Sequence, residues 1–227
     1  MGSVIKNLTL SLGVAALLIG CGSDDNNGQS ALVPADFEVS ITNMTNFQPL
    51  SPVGVIIDNK GELFEVGSSA SAALEKLAEG GDNSELLANG IRSVSTDGPV
   101  LPGQTAVLTI RKPFGEFSLS AFSMLVNTND AFTGVNAQEL EGMKVGESIT
   151  LNTNAYDAGT EANSEAAGTI PGPADGGEGF NAQRDDVDIV RMHSGVVTKD
   201  DGLSTSVLTQ EAKFDNPVMR VVIKRIK

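Results

Sequence analysis

Tryptophan is absent from the 227 residues, and tyrosine, histidine and cysteine occur once each. A lone cysteine cannot close an internal disulfide or build a thiolate metal cluster. Any catalytic triad, zinc site or histidine base would have to use the single histidine, His193. A strand-side structural role is the stronger expectation for it. No Gly-x-Ser-x-Gly elbow, phosphate loop or dinucleotide fingerprint is present. Positive charge is scarce: 15 Lys and Arg stand against 29 Asp and Glu, for a formal net charge of -14. That balance excludes the basic face that nucleic acid requires and electrostatic docking to anionic lipid. It is compatible with cation binding, and equally with an acidic surface that only keeps the protein soluble.

Long apolar runs are lacking too. The longest, Leu8 to Ile19, follows the positive charge of Lys6 and falls short of the roughly 20 residues that span a bilayer. It has the form of a secretory signal. The run ends Leu18-Ile19-Gly20-Cys21, which resembles a bacterial lipobox, with Cys21 as the residue that is lipidated and becomes the new N-terminus. The plainer alternative is an ordinary signal peptide with an incidental cysteine. The lipobox divides the chain into a lipoprotein signal peptide over 1–20, a polar tether over 21–35 and a folded domain over 36–227. It also implies a bacterial envelope location, anchored in the membrane through lipid on Cys21. Gly22 in place of aspartate after the cysteine favours the outer membrane.

What the chain does contain is short apolar segments broken by turn residues. With hydrophobic residues at 40%, there is material for a core. Phe37-Glu38-Val39-Ser40-Ile41-Thr42-Asn43 alternates as a half-buried strand does. Further strands are expected at Val53 to Ile57, Leu63 to Val66, Ala106 to Ile110, Ser148 to Leu151 and Val218 to Ile226, with the longest apolar run of the folded domain at Phe117 to Val126. Ser69 to Glu79 reads as the one clear helix, capped by Ser69 or Ser71 and stopped by Gly80-Gly81. Asn83 to Ala88 reads as a shorter helical turn. About eight short strands with one or two short helices predict an all-β antiparallel sandwich.

Two oxygen-rich segments interrupt this pattern. Tyr156 to Glu165 places Asp157, Glu161 and Glu165 at every fourth residue among glycine and small polar residues. With no apolar period, it reads as an ordered loop. Asn127-Thr128-Asn129-Asp130 follows the domain's longest apolar run. Such oxygen donors suit calcium, which takes about 6–8 of them. The spacing is not that of an EF-hand, since Ala162 stands at the sixth position where that loop needs glycine. On spacing alone a solvated acidic loop is the stronger reading.

Several segments together resemble the spondin domain, the F-spondin N-terminal type of module, in a bacterial lipoprotein setting. They are Phe37 to Asn43, Gln48-Pro49-Leu50-Ser51-Pro52, Leu63-Phe64-Glu65-Val66-Gly67, Leu77-Ala78-Glu79-Gly80-Gly81, Asn129-Asp130-Ala131-Phe132 and Asp157-Ala158-Gly159-Thr160-Glu161. The resemblance implies a C2-like sandwich holding Ca2+ at its loop end, with Asp130, Asp157 and Glu161 as the metal-ligating carboxylates. Glu161 stands where the animal proteins carry aspartate. The function it implies is a non-enzymatic adhesion or binding module with an extracellular protein or glycan partner and no nucleic acid. The alternatives are a secreted hydrolase using Asp157, Glu161 or His193, and a passive structural protein of the envelope.

Overall fold

The computed structural model describes residues 33–227. The expected signal peptide, Cys21 and nearly all of the expected tether lie outside the described residues. Within them the chain forms an all-β sandwich of two antiparallel sheets, with ten strands and two helices.

Strand β1 (Ala35–Asn43) shows how the first sheet forms. Its burial alternates strictly, so Phe37, Val39 and Ile41 point inward while Glu38, Ser40 and Thr42 face out. This is the period of two that a sheet with one wet face imposes. β1 pairs on one side with β4 (Thr105–Lys112) and on the other with β10 (Met219–Arg225), and β7 (Ser148–Thr153) closes the order β4-β1-β10-β7. Val221 and Ile223 continue the inward row.

The second sheet runs β3-β2-β5-β6-β8-β9. Its members are β2 (Gly54–Asp58), β3 (Arg92–Ser95), β5 (Ser118–Met124), β6 (Ala131–Glu139), β8 (Ala155–Asp157) and β9 (Arg191–Met192). β2 is buried at all five positions. One face meets the first sheet, where Val55, Ile57, Leu119 and Ala121 join the main core. The other is covered by helices α1 (Ala72–Gly80) and α2 (Ser84–Asn89), where Ile56, Phe122 and Phe132 meet Leu74, Leu77 and Leu86. Burial on both faces explains why Phe117 to Val126 is rich in apolar residues at both odd and even positions, with only serines between them. The helix α1 is capped by the Ser71 side chain, which accepts from the Leu74 N–H, and Gly81 ends it in a left-handed conformation. No helix among the described residues is long and apolar enough to cross a membrane.

Two local expectations are corrected, and two strands are added. Leu63 to Val66 forms no strand: Leu63 and Phe64 pack onto the helix-side core from a loop held by Asn136. Tyr156 and Asp157 belong to strand β8, so the oxygen-rich loop begins at Ala158. Strands β3 and β6 were not expected from the sequence.

Buried amides fix the loop end of the sandwich. Asn43 donates to the carbonyls of Gln48 and Val100, each at 2.8 Å. The Gln48 amide donates to the carbonyls of Asn127 and Ala212, and its oxygen accepts from the Asn127 N–H at 3.0 Å. Gln48 is therefore the clasp that holds the turn after β5 to the chain near residue 212. An unmet buried polar group costs about 1–3 kcal/mol. Gln48→Leu should therefore lower unfolding stability by at least about 2 kcal/mol in urea titration. An unchanged midpoint would show that this clasp is redundant.

Candidate metal site

The turn between β5 and β6 and the loop after β8 meet at one end of the sheet because β6 is the neighbour of β8. β6 pairs with β8 so that Ala131 faces Asp157, which puts Asp130 and Asp157 at one end of the sheet. The turn itself is closed by Thr128, whose hydroxyl donates to the Leu125 carbonyl at 2.6 Å and accepts from the Ala131 N–H. Asn127, Thr128, Asn129 and Asp130 are all buried, an unusual fate for four polar residues in a turn. The loop after β8 lies over them.

Asp130 joins the two segments. Its Oδ2 accepts from the backbone N–H groups of Thr160 at 2.9 Å and Glu161 at 3.2 Å. Its Oδ1 is buried and has no hydrogen-bond partner. Gly159 makes the approach possible: its φ is +70°, and a Cβ there would collide with the Ile189 backbone. Asn129 adds a second tie. Its amide donates to Glu161 Oε1 at 2.8 Å and to Thr169 Oγ1 at 3.0 Å, and its oxygen accepts from the Glu165 N–H.

Burial pushes the Asp130 carboxyl up to about 7, with the nearby charge of Asp157 adding to the effect. Burial also pushes Glu161 up to about 8; the Asn129 hydrogen bond opposes this, and Glu79, Asp130 and Asp185 reinforce it. Two neighbouring carboxyl groups thus resist ionisation because their negative charge has too little compensation.

Asp157 is different. Its Oδ1 accepts from the Gly159 N–H, and its Oδ2 accepts from Asn163 at 2.7 Å and from Arg191 Nε and Nη2 at 3.1 and 3.0 Å. Arg191 also reaches Asp186 at 2.5 Å. The three expected ligands therefore gather at one end of the sheet, with Asp130 and Glu161 poorly compensated and Asp157 held by an arginine. Among the described residues no three acidic, histidine or cysteine side chains stand together as a ready-made metal group. Arg191 was missed in the sequence, and Asn163, read there as a bystander within the oxygen-rich stretch, holds Asp157. The only signal for Arg191 was its place in an apolar segment, which gave no hint of a partner 34 positions away.

His193 lies beside this region. The charges of Asp157 and Arg191 both act on it, but burial dominates and pushes its imidazole down to about 4. Its Nδ1 accepts from the Gly195 N–H at 2.9 Å, its ring packs on Phe214, and its Nε2 is buried without a hydrogen-bond partner. A neutral, sealed imidazole at 5% exposure is poorly placed to exchange protons with a substrate.

No protein-family model matches the sequence, and no curated protein matches it.

The raised carboxyls set a pH dependence. A native acid with a raised pKa keeps its proton longer than the unfolded chain does, so stability is full below the unfolded value and falls as pH rises through the native one. For Asp130 and Glu161 the fall runs from their ordinary values of 3.8 and 4.5 up to about 7 and about 8. His193, lowered from 6.5 to about 4, acts oppositely, costing stability as pH drops below 6.5. The clean window is therefore above pH 6.5. In chelator, stability should fall by on the order of 2 kcal/mol between about pH 6.5 and 9. Asp130→Asn with Glu161→Gln should flatten that slope in thermal melts; an unaltered slope would assign it to other groups.

Proposed function

We propose that this protein is a calcium-stabilised β-sandwich binding module of the spondin type, carried on the bacterial cell envelope by lipid on Cys21. Its partner is an extracellular protein or glycan, met by the loop face, and it performs no catalysis. The observation that carries the reading is the buried, unpartnered Oδ1 of Asp130 beside a second poorly compensated carboxyl, Glu161. A hard cation with oxygen preference would remove both deficits.

Asp130 and Glu161 are the residues that would hold the ion. Asp157 would join them by exchanging Arg191 for the metal, with backbone carbonyls and water completing the shell. Calcium would supply charge neutralisation and rigidity. The chain's own residues do the rest: Asp130 ties the loops through its Oδ2, Asn129 orients Glu161, and Gln48 holds the turn from beneath. The hydrolase alternative gains nothing from His193, which makes no hydrogen bond to a carboxylate through either ring nitrogen. The passive envelope reading shares the calcium site and differs only in having no partner.

Calcium at about a hundred times its dissociation constant adds roughly 2.7 kcal/mol of stability. For a domain of this size that raises the melting temperature by about 5–10 °C. Differential scanning calorimetry with calcium and with chelator should show this rise in the wild type and its loss in Asp130→Ala. A wild-type protein that melts identically in both conditions would refute the reading.

A further inference from the structure

A cavity of about 130 Å³ lies beside the loop end, between the C-terminal end of α1 and the loops that carry Glu161 and Phe180. Four carboxylates line it: Glu79, Glu161, Glu178 and Asp185. Among the described residues no lysine or arginine lines it. The space is comparable to about four water molecules, enough for an ion that keeps part of its hydration.

Glu79 distinguishes this cavity from a cluster of surface acids. Its side chain sits in the last turn of a helix, yet the residue is only 1% exposed. The segment around Phe180 covers it, passing so close to Gly80 that a Cβ there would lie 3.1 Å from the Phe180 nitrogen. Oε2 accepts from the Asn181 N–H at 2.9 Å, while Oε1 is buried with no hydrogen-bond partner. Arg184 attracts Glu79 electrostatically, but its hydrogen bonds go to Glu75, Asp188 and the Ala70 carbonyl. A buried carboxylate whose attracting cation is committed to other partners is costly in a polar cavity. Its position at the helix C-terminus adds to the cost, because the helix dipole is negative there.

The other walls offer oxygen. Thr169 and Ser164 present hydroxyls, and Asn181 and Gln183 present amides. Glu178 and Asp185 are already engaged, the first with the Asn181 amide and the second with the Ala162 N–H, so they deepen the negative potential without being free ligands. We propose that this cavity is a second divalent-cation site, with Glu79 and Glu161 as its anionic ligands and hydroxyl, amide and water oxygens completing the shell. An all-oxygen donor set of this kind selects calcium or magnesium over softer metals. Glu161 also belongs to the loop-end site, so it stands between the two positions. The second site does not otherwise rest on the first.

Binding stoichiometry on the intact chain separates them, using calcium in isothermal titration calorimetry and terbium luminescence as a second readout. The wild type should bind two ions. Glu79→Gln should lose one and keep the other, Asp130→Asn should show the reverse, and Glu161→Gln should weaken both at least tenfold. Glu79→Gln removes an unpaired buried charge, so its melting temperature in chelator should equal or exceed that of the wild type; Glu79→Met serves the same comparison if the amide variant does not fold. A single ion lost only in Glu79→Gln would support this cavity and overturn the loop-end site. A single ion lost only in Asp130→Asn would overturn the proposal and spare the loop-end site. A single ion lost in both variants would also overturn it, by showing one shared position, and no binding at all would overturn both.

Discussion

One carboxylate organises the loop end of this sandwich. Asp130 presents one oxygen to two successive backbone N–H groups of a loop from the neighbouring strand and leaves the other buried and unpartnered. The first oxygen brings the loop down; the second makes the arrangement expensive as long as the group is charged. Removing Asp130 would release the loop, and keeping it buried calls for a proton or a cation. The pressure spreads to Glu161, whose own N–H is one of the two donors and whose side chain is turned onto Asn129.

The rest of the fold makes that arrangement rigid. The turn bearing Asp130 leaves a strand buried on both faces, so it cannot move without disturbing two cores. Gln48 and Asn43 clamp it from below through buried amide hydrogen bonds. Asp157 is fixed by Gly159, Asn163 and Arg191. A rigid scaffold supporting polar loops at one end is how sandwich domains place binding residues. Here the loops carry an excess of one charge sign that the fold's own cations only partly offset.

Much of this was legible in the sequence where a single physical cause dominated. The alternation of Phe37 to Asn43 marked β1 because one face is wet. Ser71 and Gly81 bracketed α1 because its ends need a cap and a left-handed stop. β3 escaped notice because Arg92-Ser93-Val94-Ser95 buries none of its residues fully. β6 escaped because Gly134 and Asn136 interrupt its pattern; Gly134 is needed where the strand approaches the Ala121 carbonyl. Composition marked the two oxygen-rich segments, since dense oxygen donors in a loop are visible in one dimension, while the spondin resemblance singled out Asp130, Asp157 and Glu161 within them. The pairing of Asp157 with Arg191 was not visible, because it depends on β8 meeting β9. Nor was Glu79, which reads as the polar side of a helix until a distant segment covers it.

Negative charge at the loop end exceeds what the protein supplies to balance it. Carbon-13 NMR titration of the Asp130 carboxyl in the calcium-free protein tests this directly. The midpoint should lie near 7, where burial and the Asp157 charge place it, and added calcium should drive it down to or below the ordinary aspartate range of about 4. A midpoint near 4 without calcium, unmoved when calcium is added, would mean that the loop-end charge is already balanced.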